Sequence, residues 1–400
     1  MARIIPFAAL RPAPEYASRI AALPYDVMSS EEARVMAKGN PYSFLHVDKA
    51  EIDFPPGMAY NDPLVYEKAK ENLQSLVSDK ILVQDEEPYL YIYRLTMNDR
   101  TQTGLAACVP VEDYDNGNIK IHEFTRPDKE RDRVEHIKAC KAHTGPIFLA
   151  YRKEDTISET VNTWANNNPT VYDFIAHNGV IHQLWVIDKA EVIKSLVEAF
   201  AVVPFLYIAD GHHRSAAASI AKKEGGSGQF LAVAFPQDEL AIMDYNRVVT
   251  DLNGMDKDAF ISALEKDFTV KISDNPVKPQ YINEYGMYMG GTWYRLTYKP
   301  ALPTDVVDGL AISVLQNQVL SPLLGVQDPR TDGRVDFVGG IRGMEGLSKP
   351  VDSGEMAVAF SICPTTMDEL FAVADTGRIM PPKSTWFEPK LLSGLLIHKY

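Results

Sequence analysis

Val202-Val203-Pro204-Phe205-Leu206-Tyr207-Ile208-Ala209-Asp210-Gly211-His212-His213-Arg214 is an apolar run that stops abruptly in a charged, imidazole-bearing turn. The alanine-rich segment from Ser215 to Lys223 follows. The run has the length and composition of a buried strand, and the alanine segment has those of a helix. The turn between them therefore sits at a helix N-terminus, where backbone N–H groups lack intrahelical acceptors and anions bind readily.

Working outward, a chain of 400 residues with a 46% hydrophobic fraction supports a sizeable core and two domains or one elaborated domain. The best break is the proline-bearing stretch 275–280. It divides a catalytic region, residues 1–275, from a C-terminal region, residues 276–400. A formal net charge of −14 argues against broad contact with nucleic acid or an anionic membrane. Cys108, Cys140 and Cys363 are far apart and lack metal-ligand spacing, as reduced thiols in a cytoplasmic protein would be. No signal-peptide pattern and no bilayer-length apolar run is present, so a soluble protein is expected.

The remaining chain reads as mixed strands and helices. Ser29 with Glu32 forms a capping-box signature, and Asp62-Pro63 opens a second helix. The stretch 40–47 reads as a turn and strand. Residues 89–97 and 103–111 read as a hairpin, as do 171–177 and 180–187 around Asn178-Gly179. Pro127 opens a helix reaching about Lys141, and residues 304–324 read as a helix with a poorly placed Gly309. Hairpins interleaved with helices indicate an α+β fold with mixed sheets and flanking helices.

Three stretches could carry chemistry. In the first, Gly211 permits an unusual backbone angle or close ligand approach, and Arg214 offers a planar fork to phosphate oxygens. Ser215 adds a hydroxyl at the helix start. His212 and His213 can move a proton near neutral pH, while Asp210 can orient an imidazole or hold Mg²⁺. The second stretch supplies His122, Arg126, Lys129 and Arg133 as positive groups and Glu123 as a base, with His122-Glu123 and Thr125-Arg126 ahead of the Pro127 helix. Its bland alternative is a solvated helix with alternating charge. The third is Lys383-Ser384-Thr385 after two prolines, a phosphate-binding lid or a plain loop. Pro24-Tyr25-Asp26-Val27 and Asn40-Pro41-Tyr42 read as turn chemistry. A nucleophile elbow, a zincin motif and a dinucleotide glycine fingerprint are absent.

Taken together, Pro24-Tyr25-Asp26-Val27, Asn40-Pro41-Tyr42-Ser43-Phe44, His122-Glu123-Phe124-Thr125-Arg126, Asp210-Gly211-His212-His213-Arg214 and Met380-Pro381-Pro382-Lys383-Ser384-Thr385 resemble the bacterial and archaeal family called domain of unknown function 1015. That resemblance covers nearly the whole chain and implies no activity. The Asp210–Arg214 turn is also similar to the phosphate-binding turn of the ParB/sulfiredoxin superfamily, whose free-serine kinases carry Asp-Gly-His-Thr-Arg. Here His213 stands in place of the threonine. Sulfiredoxin's cysteine has no counterpart, because Gly211 precedes His212.

This second resemblance implies a ParB/sulfiredoxin-like core and phosphotransfer on a small polar metabolite, as a nucleotide-dependent serine kinase or a phosphoserine phosphatase. ATP or ADP with Mg²⁺ would be the cofactor. Asp210, His212, His213 and Glu123 would serve catalysis. Gly211, Arg214, Ser215, Lys383, Ser384, Thr385, His122 and Arg126 would hold phosphate or nucleotide. The expected partner is a phosphorylated small molecule or nucleotide, with neither nucleic acid nor membrane, and a homodimer is compatible. A non-catalytic nucleotide or metabolite sensor and a metal-dependent hydrolase are the alternatives.

Overall fold

Asn98 takes a left-handed φ of 54° and turns the chain between two strands, Leu90–Met97 (β1) and Arg100–Pro110 (β2). Asparagine tolerates that region, which makes it a natural hairpin residue. Tyr91 lies opposite Ala106, and Met97 lies opposite Arg100. The computed structural model describes all 400 residues, and the chain forms two compact units. The first comprises Met1–Ile121, Thr125–Leu240 and Pro389–Tyr400; the second comprises His122–Phe124 and Ala241–Glu388.

In the first unit, the hairpin lies within a mixed sheet of eight strands. The others are Ile119–Lys120 (β3), Ile147–Tyr151 (β4), Tyr172–Ile175 (β5), Ile181–Ile187 (β6), Leu206–Asp210 (β7) and Gln229–Pro236 (β8). Their order is β3-β7-β4-β8-β2-β1-β6-β5. β7 runs parallel to β3 and antiparallel to β4, while β8 is parallel to β4. β4 is buried along its whole length, which explains its uninterrupted Ile-Phe-Leu-Ala-Tyr run.

The helices of this unit are Ser30–Ala37 (α1), Pro63–Ser78 (α2), Pro127–Cys140 (α3), Asp155–Asn167 (α4), Ala190–Phe200 (α5) and His212–Lys223 (α6). The Ser29/Glu32 capping box forms in both directions, and Asp62 caps α2 by accepting the Leu64 N–H. Val134 and Ile137 of α3 pack against Ala217 and Ala221 of α6. The alanines let the two helix backbones approach closely. The closing segment returns to this unit and buries Leu391, Leu392, Leu395, Leu396 and Ile397. Each such side chain contributes about 1.5–3 kcal/mol, ample to hold a short segment in place.

The second unit holds an antiparallel sheet of six strands. They are Tyr245–Val249 (β9), Phe268–Ser273 (β10), Glu284–Met289 (β11), Thr292–Tyr298 (β12), Val335–Gly339 (β13) and Val358–Ile362 (β14), in the order β10-β12-β11-β14-β9-β13. Helices Lys257–Leu264 (α7), Glu345–Asp352 (α8) and Met367–Asp375 (α9) accompany it. The α+β class with mixed sheets and flanking helices therefore holds. No helix is long and apolar enough to cross a membrane.

Several local expectations give way. The stretch 40–47 is not a strand, because residues Leu45–Asp48 form a short helix. The expected long helix over 304–324 shrinks to Ala311–Leu315, continued by a wider π turn over Gln316–Leu320. A Cβ at Gly309 would lie 2.6 Å from the Pro303 carbonyl oxygen, so the chain folds tightly there before the helix begins. The proline-bearing stretch 275–280 joins β10 to β11 within one sheet rather than linking two bodies.

His46 of the short helix contacts Asp53 at 2.6 Å, and Asn72 of α2 donates to the same carboxylate at 2.8 Å. The Asp53 hydrogen bond outweighs burial and raises the His46 pKa. Burial opposes ionisation of Asp53, but the hydrogen bonds from His46 and Asn72 prevail and lower its pKa. The raised His46 pKa stabilises the fold below its unfolded value of 6.5, and that contribution is lost as pH rises through the folded pKa. The depressed Asp53 pKa stabilises above 3.8 and is lost as pH falls through the folded pKa. The pair is thus fully formed between these limits. As pH rises from 6.5, thermal melting of His46→Gln should show a smaller stability loss than the wild type; identical pH profiles would contradict the pair.

Candidate functional site

The site is built by a strand that ends irregularly. In β7, Ile208 pairs with Leu149, but Asp210 pairs with Phe148, so the register shifts across Ala209. Such a bulge re-aims the residue that follows it. Gly211 then takes φ +102°, and α6 begins at once with no side chain capping its N-terminus. A Cβ on Gly211 would lie 3.2 Å from Arg214 Nε and 3.3 Å from Cζ, so the guanidinium packs on the glycine itself. Both the backbone angle and the packing call for glycine here.

Arg214 is tightly placed. Its Nη2 donates to Asp210 Oδ2 at 3.2 Å and its Nη1 donates to the Pro146 carbonyl, while the buried Nε has no hydrogen-bond partner. Burial acts to lower its pKa, but Asp210, Asp26, Tyr25 and Asp48 outweigh burial and raise it. The guanidinium stays charged. His212 is buried, whereas His213 is half-buried and its Nε2 accepts the Arg126 N–H at 3.1 Å. That bond places the ring proton of neutral His213 on Nδ1. Ser215 is fully buried and donates its hydroxyl hydrogen to the Gly211 carbonyl at 3.2 Å. The Arg126 side chain is exposed and paired with Asp128 at 3.0 Å.

Arg214 also lines a cleft in this unit with Tyr25, Asp48, Arg133, His136 and Thr144. Arg133 stacks on the Tyr25 ring at 3.9 Å and binds Asp132 through Nε at 2.8 Å. Thr144 donates to Asp48 at 2.7 Å. Burial, then Arg133, push the His136 pKa down, so its imidazole is held neutral. His136 Nε2 lies 3.0 Å from the Val47 carbonyl and donates to it. Tyr25, read from sequence as turn chemistry, therefore belongs to the wall of this cleft. Its signal was the Pro24-Tyr25-Asp26-Val27 stretch, which a local turn explained equally well.

The other sequence-singled residues lie in the second unit. His122 Nε2 is 3.1 Å from Thr385 Oγ1, and the His122 carbonyl accepts the Met380 N–H at 2.9 Å. These two motifs, far apart in sequence, meet. Lys383 sits in a left-handed conformation, φ 56°, with Nζ 5.9 Å from the Tyr245 ring centroid. Burial raises the Tyr245 pKa, opposed by Lys383 and Arg247 and reinforced by Glu123, so Lys383 and Glu123 act on one phenol. Ser384 is buried and donates to the Pro381 carbonyl at 2.6 Å.

Sequence reasoning missed Arg247 and Lys390. Arg247 is fully buried, donates to the Pro382 carbonyl at 2.8 Å and to the Lys383 carbonyl at 3.1 Å, and so clamps the Lys383 loop. Burial pushes its pKa down to about 9. Lys390 is buried in the first unit, with Nζ 3.8 Å from Asp210 Oδ2. A lone basic residue inside an apolar-flanked stretch gave little reason to select either one.

The profile of one protein family, described as protein of unknown function (DUF1015), matches residues 4–319. The chain belongs to that family. The family assignment, expected from the motif set, covers the Asp210–Arg214 turn and stops before the Lys383 loop. No curated protein matches the chain. Among solved structures, a free serine kinase in complex with AMP is similar at 13% identity, over 70% of this chain and 87% of that chain, with a TM-score of 0.37. A C-terminally truncated SbnI from Staphylococcus aureus is similar at 15% identity, over 73% and 87%, with a TM-score of 0.40. A conserved hypothetical protein from Pyrococcus furiosus is similar at 13% identity, over 72% and 94%, with a TM-score of 0.36. Likeness at this level carries no functional argument.

Proposed function

We propose that the Asp210–Arg214 turn grips a phosphate group and that the protein transfers phosphate to or from a small polar metabolite. The substrate would be a nucleotide with serine, or a phosphoserine. The observation that carries the reading is Gly211 at φ +102°, opening an uncapped helix N-terminus against the buried Arg214 guanidinium. Uncapped N–H groups and an arginine fork are complementary to phosphate oxygens. The similarity of the turn to Asp-Gly-His-Thr-Arg, with His213 in place of the threonine, supports the nucleotide-dependent form of this reading. Asp210 faces both Arg214 and Lys390, so it is a poor Mg²⁺ ligand and a poor base. Proton movement then falls to His212, or to His213 after it gives up the Arg126 N–H.

The direct assay incubates purified full-length protein with ATP or ADP, Mg²⁺ and a panel of amino acids. Phosphorylated product is expected, and Arg214→Met should reduce its formation by about a hundredfold, a loss typical of removing one charged contact to a transferred group. No product together with no nucleotide binding would end the phosphate reading. A sensor that binds without turnover is the second reading, favoured by the prior engagement of Asp210 and His213. It predicts that His212→Ala leaves nucleotide affinity intact and that no variant or wild-type sample turns over.

A further inference from the structure

The closing segment Pro389–Tyr400 lies beyond the residues matched by the family, yet it belongs to the unit that carries the turn. Backbone bonds fix it there. Leu10 and Ile397 exchange two hydrogen bonds of 3.0 Å, and Ala22 and Ser393 exchange bonds of 3.2 and 2.8 Å. The Leu392 N–H reaches the buried Tyr93 hydroxyl at 3.3 Å, and Gln102 donates to the Pro389 carbonyl at 3.3 Å. The backbone that carries Lys390 is therefore fixed beside the turn.

The Lys390 side chain is 8% exposed, and its ammonium stands 3.8 Å from Asp210 Oδ2. Arg214 Nη2 stands 3.2 Å from the same oxygen. One carboxylate oxygen thus faces two cations at the mouth of a helix N-terminus. Asp26 and Asp48 act on Arg214 as well. The Asp210 contact with Lys390 is Coulombic at this distance, beyond hydrogen-bond length. An ammonium on a flexible stem is a point charge able to turn toward a phosphate oxygen. Arg214 Nε, buried and without a hydrogen-bond partner, faces the same glycine.

We propose that the closing segment is part of the phosphate site and that Lys390 is its second cation, swinging from Asp210 to the bound anion. The proposal rests on the phosphate reading above and adds a residue to it. In this arrangement Asp210 is a positioning group: it holds both cations at the turn until the anion arrives. Ser393 of the same segment lines the cleft beside Arg214.

The test is calorimetric titration of the full chain with ADP, and with pyrophosphate as a minimal anion. Lys390→Met should weaken binding about tenfold or more, as loss of one charge-assisted contact does. Lys390→Arg should recover part of it, and added salt should weaken the wild type more than Lys390→Met. Wild-type binding with Lys390→Met within about twofold would overturn the inference and leave the phosphate reading standing. Where Lys390→Met does not fold, Lys390→Gln decides by the same criterion. A wild type that binds neither ADP nor pyrophosphate removes the phosphate reading itself, and the inference with it.

Discussion

Gly211→Ala is expected to abolish nucleotide binding and to lower the free energy of unfolding by roughly 2–4 kcal/mol. Two costs add. A left-handed alanine costs about 1–2 kcal/mol, because its Cβ crowds the following carbonyl. The new Cβ would also stand 3.2 Å from Arg214 Nε, and the guanidinium must shift. A shift weakens its bonds to Asp210 and Pro146, each worth about 1–2 kcal/mol. The control is Gly179→Ala. Gly179 also has a positive φ, +81°, but nothing lies within 4 Å of its Cβ position. That variant should lose only the backbone part, and the difference between the two isolates the Arg214 contact. Urea unfolding measures the stability term, and calorimetry with ADP measures binding. Equal losses for the two glycines would mean that the guanidinium does not pack on Gly211.

Much of the first unit was legible because its signals are local. Ser29 and Glu32 sit at capping-box spacing, Asp62-Pro63 opens a helix, and Asn178-Gly179 turns a hairpin, and each appears where the residues place it. The turn at Asp210 was legible for the same reason, since an apolar run, a glycine and an alanine helix adjoin directly. Its bulge was not, because the register depends on pairing with β4, which is distant in sequence. The helix α4 carries a readable stripe, Ile157, Val161, Trp164 and Ala165, all buried. Its threonines and asparagines dilute that stripe, since both residue types are indifferent helix formers. The strand 40–47 failed because Ser43-Phe44-Leu45-His46-Val47 is short and apolar at both periods, and packing decided for a turn of helix.

The residues of the candidate site divide along the same line. Gly211 and Arg214 announce themselves as neighbours. Tyr25, Asp48, Arg133 and Thr144 come from four separate stretches and meet only in the folded unit. Arg133, a candidate positive group in the sequence, shows how such residues can be read two ways. In sequence it belongs to Arg131-Asp132-Arg133, an alternation typical of solvated helix faces. In the structure Arg131 is exposed, while Asp132 and Arg133 are turned inward.

That inward turn makes Asp132→Ala a strongly destabilising change. Arg133 binds Asp132 Oδ2 through Nε at 2.8 Å and Nη2 at 2.7 Å, with side chains 10% and 2% exposed. The Tyr66 hydroxyl donates to the same carboxylate at 3.0 Å. Burial works against the charged guanidinium, and Asp132 is the foremost of the groups that reverse this and raise its pKa. Removing the carboxylate strands a buried cation, which costs about 3–5 kcal/mol. A typical domain has only about 5–15 kcal/mol in total. Asp48, which also acts on Arg133, places the expected loss toward the lower end. Replacing both charges should hurt less than replacing one, because no isolated ion remains. The double variant Asp132→Ala with Arg133→Met should therefore unfold at higher urea than Asp132→Ala alone. Its cleft should nevertheless be altered, since the Tyr25 ring loses the guanidinium stacked on it at 3.9 Å. A single variant as stable as the double would show that Arg133 finds water or another acceptor. The charge network behind the Asp210–Arg214 turn would then be looser than these distances imply.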